Sequence, residues 1–272
     1  QVLPSAGTPT GNISAASNSI TCAKTSATWS ITSGSSPISI SWTGPGITGP
    51  TNTASTTVSQ GNVTYTVTLT NTSSMCSQAY NVFVPLNTTP VVASASISAG
   101  SSSITCSTTS LTLSSSPTGP NYTYSWTGPG IVSGGNTANP IVDLGGTYSV
   151  TITNTINGCS GVTGTTNVAV PSNTATPTLS LSATSVTTTC GNPSATVTAS
   201  SNSNPTTTYT WTAPATGTIS STSVSNPSIG GSGVFTVAIT NTLSGCPSAP
   251  MTVTVTADAN IPTFTLSSNA IT

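Results

Sequence analysis

The sequence repeats itself with a period of 84 or 85 residues, and this period constrains the fold more than any other feature. The segment Ser41–Ile47, which reads SWTGPGI, returns unchanged at Ser125–Ile131 and in a looser form at Thr210–Pro214. A fixed period of this length indicates a tandem array in which each copy is one structural unit. We therefore expect the end of a preceding repeat at 1–8, three repeats at 9–89, 90–176 and 177–261, and the start of a fourth at 262–272.

Each copy has the pattern of a series of short strands. In the first copy the apolar residues Tyr65, Val67 and Leu69 alternate with threonines, and Gly, Pro, Asn and Ser interrupt the pattern between such runs. Alternation with a period of two predicts strands with one buried face, which two antiparallel sheets packed face to face can cover. The sequence thus predicts an all-β fold, a tandem array of immunoglobulin-like antiparallel β-sandwich repeats. The strands expected in the first copy, A to G, are 10–21, 26–33, 37–43, 46–48, 53–59, 63–71 and 79–85.

Aromatic residues recur at matching positions of the copies. Three tryptophans lie in the expected strand C, where an immunoglobulin-like sandwich places a core tryptophan, and an aromatic residue recurs near the start of strand F. The residues that we predict to fill the cores are Trp29, Trp42, Trp126, Trp211, Tyr65, Tyr148 and Phe235. In the alternative interpretation, the strand C tryptophans form an exposed row that stacks on sugars.

Charged residues are nearly absent. The 272 residues include one basic residue, Lys24, two acidic residues, Asp143 and Asp258, and no histidine. Acid–base and nucleophilic catalysis need such groups within hydrogen-bond reach of one another, and metal sites need several of them, so we expect no enzyme, no catalytic or metal-binding residue and no cofactor. Nucleic acid is not an expected partner, because binding to phosphates depends on several Lys and Arg contacts. No stretch approaches the roughly 18 apolar residues of a membrane helix.

Six cysteines, two in each copy, indicate disulfides and therefore an extracellular or periplasmic location. They could pair within each copy, as Cys22 with Cys76, Cys106 with Cys159 and Cys190 with Cys246. In a sandwich, however, the first cysteine of each pair would lie in the A–B turn at one end and the second in the F–G turn at the other. A strand of eight residues spans about 26 Å, whereas a disulfide tolerates a Cα separation of about 7 Å. Staggered pairing of neighbouring copies is therefore favoured, with pairing within copies left open: Cys22 with Cys159, Cys106 with Cys246, and Cys76 and Cys190 with cysteines outside the 272 residues.

Two motifs carry a resemblance to a known family. They are Tyr124–Trp126 in strand C and Gly146–Cys159, which reads GTYSVTITNTINGC. Over essentially the whole chain, the copies resemble the repeats of giant Bacteroidota gliding-motility adhesins, which are similar to polycystic-kidney-disease-type domains. The resemblance implies type IX secretion through the outer membrane and a place in a long cell-surface filament or stalk. Asn71, Asn154 and Asn241 stand where such repeats often carry Asp, which argues against stiffening by calcium.

Three functions fit these patterns. The leading hypothesis is a non-catalytic structural segment of a long, secreted cell-surface filament or adhesin stalk, whose partners are the neighbouring repeats of the same chain. A net charge of −1 favours association, and strand edges without Lys or Glu lack the usual protection against pairing. The second hypothesis is therefore a self-assembling extracellular filament or sheath subunit that contacts copies of itself laterally. The third is a carbohydrate-binding adhesin module for a surface glycan, which needs exposed tryptophans.

Overall fold

The computed structural model describes residues 7–16, 18–34, 37–98, 100, 102–202 and 206–258, without the side chains of 161–166. Strands are the only regular elements of these residues, so the predicted all-β class is confirmed. The predictions for 1–8 lie mostly, and those for 262–272 wholly, outside the described residues. The chain divides into two compact units, one formed by Gln1–Ser98, Thr112–Val142 and Gly146–Ala169, the other by Ala99–Leu111, Asp143–Gly145 and Val170–Thr272.

The first repeat lies in the first unit and is a sandwich of two three-stranded sheets. Its strands are β1 (Gly11–Ala15), β2 (Ile20–Thr21), β3 (Ala27–Ser33), β4 (Ile38–Thr43), β5 (Ser55–Val58), β6 (Val63–Asn71), β7 (Ser77–Val84) and β8 (Leu86–Asn87). One sheet has the order β1-β3-β5 and the other β4-β6-β7, both antiparallel. This is the A-B-E and C-F-G arrangement of an immunoglobulin-like sandwich.

The predicted strand A is divided into two parts that join different partners. β1 pairs with β3 in the antiparallel sheet, whereas β2 runs parallel to β8 at the end of the repeat. Of the predicted strand at 46–48, the structure has an isolated bridge between Ile47 and Val58. Alternation along the sequence identifies the extended segments but carries no information on the sheet that each segment joins.

The second repeat has the same two-sheet plan. Its strands are β9 (Ser94–Ile97), β10 (Ile104–Thr105), β11 (Leu111–Ser116), β12 (Tyr122–Thr127), β13 (Ile131–Ser133), β14 (Ile141–Val142), β15 (Gly146–Asn154), β16 (Ser160–Val170) and β17 (Ser172–Asn173). The sheets are β13-β14-β11-β9 and β12-β15-β16. The short parallel pair β10–β17 belongs to the second unit and repeats the pairing of β2 with β8.

The third repeat lies in the second unit and varies the plan. Its strands are β18 (Leu179–Leu181), β19 (Ser185–Thr189), β20 (Ser194–Thr196), β21 (Ala199–Ser201), β22 (Thr207–Thr212), β23 (Gly217–Ile219), β24 (Ser228–Gly231), β25 (Gly233–Asn241) and β26 (Met251–Asp258). The sheets are β19-β26-β25-β22, β20-β24-β23 and the pair β18-β21. Here the parallel pairing with the last strand is longer, because all five residues of β19 pair with β26.

The cores lie between the sheets and are filled by the alternating residues. In β6, Tyr65, Val67 and Leu69 are fully buried, while the threonines between them are partly exposed. Threonine and valine suit this pleated, half-buried surface. The aromatic residues assigned to the cores from the sequence are all at most 8% exposed: Trp29, Trp42, Trp126, Trp211, Tyr65, Tyr148 and Phe235.

Tyr65 closes the end of the first core against the turn after strand C. Its hydroxyl donates to the carbonyl oxygens of Pro45 and Gln60, the latter at 2.8 Å, and burial raises the pKa of its phenol. A Cβ on Gly44, whose φ is +149°, would lie 2.4 Å from the ring. Glycine is therefore required here, and the Gly-Pro-Gly segment is a turn on which the tyrosine packs.

The tryptophans of the first repeat differ in how their indole N–H groups are satisfied. Trp42 Nε1 donates to the carbonyl oxygen of Thr53 at 3.0 Å. Trp29 Nε1 is buried and has no hydrogen-bond partner among the described residues. The N–H group therefore contributes to stability only at Trp42.

We predict that Trp42→Phe lowers the free energy of unfolding more than Trp29→Phe does. Both substitutions remove similar packing, but only the first removes a hydrogen bond, for a difference of about 1 kcal/mol. Denaturant unfolding of the two variants under oxidising conditions measures this difference. Equal losses of unfolding free energy, or a larger loss for Trp29→Phe, would contradict the conclusion that only the Trp42 N–H group contributes to stability.

Candidate functional site at the cysteine-bearing turns

The first cysteine of each repeat lies in a turn that backbone and hydroxyl hydrogen bonds close. In the first repeat, Thr21 N donates to Lys24 O at 2.8 Å, and Lys24 N donates to Thr21 Oγ1 at 3.0 Å. The equivalent bonds measure 2.8 and 2.9 Å in the second repeat and 3.0 and 3.1 Å in the third. All three turns therefore hold the cysteine in the same way. These A–B turns are Thr21–Lys24, Thr105–Thr108 and Thr189–Asn192.

The second cysteine lies in another turn that the three repeats share. In the first repeat, Asn71 N donates to Cys76 O at 2.9 Å and Met75 N to Asn71 O at 2.8 Å. The Asn71 side-chain oxygen also accepts a bond from the N–H of Ser73 at 2.9 Å. The corresponding three distances are 3.0, 2.7 and 2.9 Å in both other repeats. These F–G turns are Asn71–Cys76, Asn154–Cys159 and Asn241–Cys246.

A disulfide joins the first A–B turn to the second F–G turn. Cys22 and Cys159, which are 137 residues apart in sequence, form the bond with a Cα separation of 5.0 Å. Ala23 N donates to the carbonyl oxygen of Asn157 at 3.1 Å. The Asn157 amide nitrogen donates to Asn87 Oδ1 at 3.0 Å and to Thr89 O at 3.2 Å. The first repeat, its linker and the second repeat are thus joined at one point.

A second disulfide repeats this arrangement one copy further along. Cys106 and Cys246, 140 residues apart, are bonded with a Cα separation of 5.0 Å. Cys106 N and Ser107 N both donate to the carbonyl oxygen of Ser244, at 2.9 and 3.4 Å. Cys159 and Cys246 are 1% and 0% exposed, so the cysteine of the F–G turn is buried at each junction.

The two observed bonds follow the staggered scheme and not the scheme within copies. Cys76, in the first F–G turn, and Cys190, in the third A–B turn, carry free thiols. Their pairing with cysteines outside the 272 residues stays a prediction.

The residue before the cysteine of each F–G turn has a positive φ and lies against the A–B turn at the junctions. At +69° and +68°, Gly158 and Gly245 adopt this conformation without steric cost. A Cβ on Gly158 would lie 2.4 Å from the Ala23 Cβ, and a Cβ on Gly245 would lie 2.7 Å from the Ser107 Cβ. Both close approaches therefore require glycine.

The tryptophans of strand C do not form an exposed row. Trp42, Trp126 and Trp211 are 2%, 6% and 2% exposed, and each indole N–H donates to a main-chain carbonyl oxygen at 3.0 Å. Rings in these positions pack in the cores, so the sugar-stacking alternative lacks the surface that it needs.

The charged residues lie on the surface. Lys24, Asp143 and Asp258 are all exposed. Among the residues that the structure describes, no three His, Cys, Asp or Glu side chains come together as metal ligands. In the same part of the chain, no helix is long and apolar enough to cross a membrane.

Sequence reasoning missed the residues that complete the junctions. The cysteines were assigned, but the Asn157 amide that bridges to the linker and the glycines of the F–G turns were not. The sequence contains one signal for these glycines. When the three F–G turns are aligned, the residue before the cysteine is glycine in two of them, Gly158 and Gly245, and Met75 in the first.

Comparisons with known proteins identify similar solved structures but no family. No protein-family model matches the sequence, and neither does any curated protein. Three immunoglobulin domains of titin are similar at 12% identity and a TM-score of 0.30, over 86% of this chain and 92% of that chain. Three N-terminal domains of the outer capsid protein Hoc of bacteriophage RB49 are similar at 14% identity and a TM-score of 0.33, over 92% of this chain and 99% of that chain. The S-layer protein SbsC gives 15% and 0.33 over 93% of this chain and 41% of that chain.

We predict that Cys22→Ser destabilises the first unit, whereas Cys76→Ser does not. The disulfide closes a long loop in the unfolded chain, and loss of such a bond costs about 2–5 kcal/mol. Denaturant unfolding of both variants tests this, with Cys76→Ser as the control because its thiol is free. A Cys22→Ser chain as stable as the control would contradict the role assigned to the bond.

We predict that Gly158→Ala disturbs the first junction through two separable effects. The new Cβ contacts Ala23, and alanine with φ near +69° carries a conformational cost of about 1–2 kcal/mol. Adding Ala23→Gly should remove the contact with Cβ and leave the conformational cost. A double-mutant cycle on the free energy of unfolding measures the coupling, and strictly additive effects would contradict the contact.

Proposed function

We propose that this chain is a non-catalytic structural segment of a long, secreted cell-surface filament or adhesin stalk. One observation carries the proposal, namely that at both junctions a disulfide joins the A–B turn of one repeat to the F–G turn of the next. Covalent bonds between neighbouring repeats restrict the reorientation of one repeat relative to the next. A protein under tension needs such a restriction, whereas a compact enzyme does not. Disulfides also favour an extracellular location.

The linkers support the same role. The segments Pro85–Pro90 and Pro171–Pro177 connect the repeats, and proline fixes φ and stiffens a short connection. Beside the first linker, Asn157 donates hydrogen bonds to Asn87 and Thr89. We propose repeat boundaries at 9–89, 90–176 and 177–261, with the first linker held by the repeat before it through β2 and β8 and by the repeat after it through Asn157.

The resemblance to gliding-motility adhesin repeats adds finer proposals. They are membership of a Bacteroidota surface protein, type IX secretion and a part in cell adhesion. The solved S-layer protein SbsC and the capsid protein Hoc, to which the chain is similar, are also surface proteins by their names. A surface glycan is a further proposed partner. It would bind to a surface that does not include the tryptophans, because these are buried.

A self-assembling extracellular filament or sheath subunit is the second candidate. The net charge of −1 and the presence of only three charged residues in the sequence favour it, because little electrostatic repulsion opposes lateral contact of copies. Concentration-dependent bundling of the isolated chain would support this candidate over an independent stalk.

The two disulfides define a covalent route for tension. Cys106 lies inside the loop that Cys22–Cys159 closes, and Cys159 lies inside the loop that Cys106–Cys246 closes. The loops therefore overlap. Between Cys22 and Cys246, the route through both disulfides includes 53 residue-to-residue steps, from Cys106 to Cys159, instead of the 224 steps of the open chain.

We predict that the oxidised protein extends far less than the reduced protein when single molecules are pulled from their termini. At up to about 3.6 Å per residue, the part between Cys22 and Cys246 should reach about 190 Å when oxidised and about 800 Å when reduced. Force–extension curves with and without a thiol reductant measure both lengths. A full-length extension without reductant would overturn the proposal that the junctions resist tension.

A further inference from the structure

We propose that copies of this chain join head to tail, with the third A–B turn of one copy docked on the first F–G turn of the next and a disulfide between Cys190 and Cys76. The partner surface is thus the Cys-Gly turn at Cys190–Gly191 of a second copy. This inference rests on the structural role proposed for the junctions and extends it from neighbouring repeats to separate molecules. It gives the expected pairing of Cys76 and Cys190 outside the 272 residues of one chain a specific form, in which the partner cysteine belongs to a second copy.

Both free turns already have the conformation of their bonded counterparts. The turn around Cys190 is closed by the same two hydrogen bonds as those around Cys22 and Cys106. The turn around Cys76 is closed by the same bonds as those around Cys159 and Cys246. Since the equivalent turns are disulfide-bonded to each other twice in this chain, a third pairing keeps the hydrogen bonds that close each turn.

The small and the large residue next to the cysteines have changed places in the free turns. Bonded junctions have the small residue in the F–G turn, whereas the free turns have it in the A–B turn. At the bonded junctions, glycine in the F–G turn faces Ala23 or Ser107 in the A–B turn. The free F–G turn instead carries Met75, with a φ of +59°, and the free A–B turn carries Gly191. One Cβ per junction is thus preserved when Met75 faces Gly191.

The distances show which partners Met75 permits. A Cβ in the F–G turn would approach the Ala23 Cβ to 2.4 Å, but Ala23 Cα and N only to 3.1 Å. Met75 therefore collides with a turn of the Cys-Ala type docked in this geometry, whereas a turn of the Cys-Gly type needs a shift of a few tenths of an ångström. Among the three A–B turns of the chain, the one at Cys190 has glycine at this position.

The surfaces around the two thiols are open. Cys190 is exposed, Cys76 is half-buried and the Met75 side chain is 75% exposed. A cavity of about 300 Å³ lies beside Cys190, lined in part by Pro193 and Ala257. It offers apolar surface to Met75 of the docked copy, and docking would bury Cys76 as Cys159 and Cys246 are buried.

The bond forms by thiol–disulfide exchange with a small disulfide such as oxidised glutathione as the oxidant. The Cys190 thiolate attacks one glutathione sulfur, which forms a mixed disulfide and releases one glutathione thiolate. The Cys76 thiolate of the second copy then attacks the Cys190 sulfur, which forms the Cys76–Cys190 bond and releases the second glutathione. Two protein thiols are oxidised, and one glutathione disulfide is reduced to two thiols.

The test is oligomer formation by the whole chain, with its two internal disulfides intact, in a glutathione redox buffer. Non-reducing electrophoresis should show a ladder, and mass spectrometry should identify Cys76–Cys190 as its main link. Gly191→Ala should reduce the ladder about tenfold, because it restores the overpacked contact. In the isolated chain a Cβ on Gly191 would meet no atom within 4 Å, so this substitution leaves the fold unchanged.

The swapped pair is the decisive variant. Met75→Gly combined with Gly191→Ala should restore the ladder, since it recreates the Gly–Ala contact of the first junction. The proposal is overturned if Gly191→Ala forms the ladder as well as the parent chain, or if Cys76–Cys76 and Cys190–Cys190 links are as abundant as the mixed link. Either result, with the internal disulfides still mapped as Cys22–Cys159 and Cys106–Cys246, leaves the proposed stalk function intact, whereas rearranged internal disulfides would count against that function.

Discussion

The disulfides between repeats depend on turns that hold each cysteine before any bond forms. A disulfide accepts only a narrow range of Cα separations, so the backbone on both sides must hold the two cysteines within that range. Thr21 and Asn71, with their counterparts, fix the A–B and F–G turns through side-chain bonds to main-chain N–H groups. Because these bonds recur in every copy, a repeat is ready to be joined at both ends, and the joints follow from the repeat itself.

Neutral hydrogen bonds replace the charges that most surfaces carry. Across the sheets of the first repeat, Thr28 lies 3.4 Å from Thr57 and Thr70 lies 3.0 Å from Ser77, hydroxyl to hydroxyl. Such cross-strand pairs support a sheet without the desolvation that a buried charge would require. A sandwich of about 85 residues has a small core, so stability also has to come from these pairs and from covalent bonds. The uncharged hydroxyl pairs and the disulfides therefore both add to the stability that the small core provides.

Sequence reasoning predicted features that recur in every copy, including the favoured staggered cysteine pairs, and missed contacts that no recurring pattern marks. The period, the sandwich and the burial of Trp42 and Tyr65 could be inferred because each leaves a local pattern of alternation or spacing. The division of strand A could not, since β2 is extended like β1 and differs only in its parallel partner β8. The bridge from Asn157 to Asn87 spans 70 residues, and no local pattern marks an amide that will meet a linker in another repeat.

Small differences between turns of the same backbone conformation can decide which turns dock on each other. The backbone of the F–G turn is the same in all three copies, so the backbone does not distinguish one junction from another. The distinction lies at one side-chain position on each side of the junction, where a single Cβ fits and two collide. Cores tolerate exchange among similar apolar residues, whereas two Cβ atoms only 2.4 Å apart do not fit, so in the proposed head-to-tail pairing the turns select which copies can dock. An array built in this way can vary its cores freely while its joints remain selective.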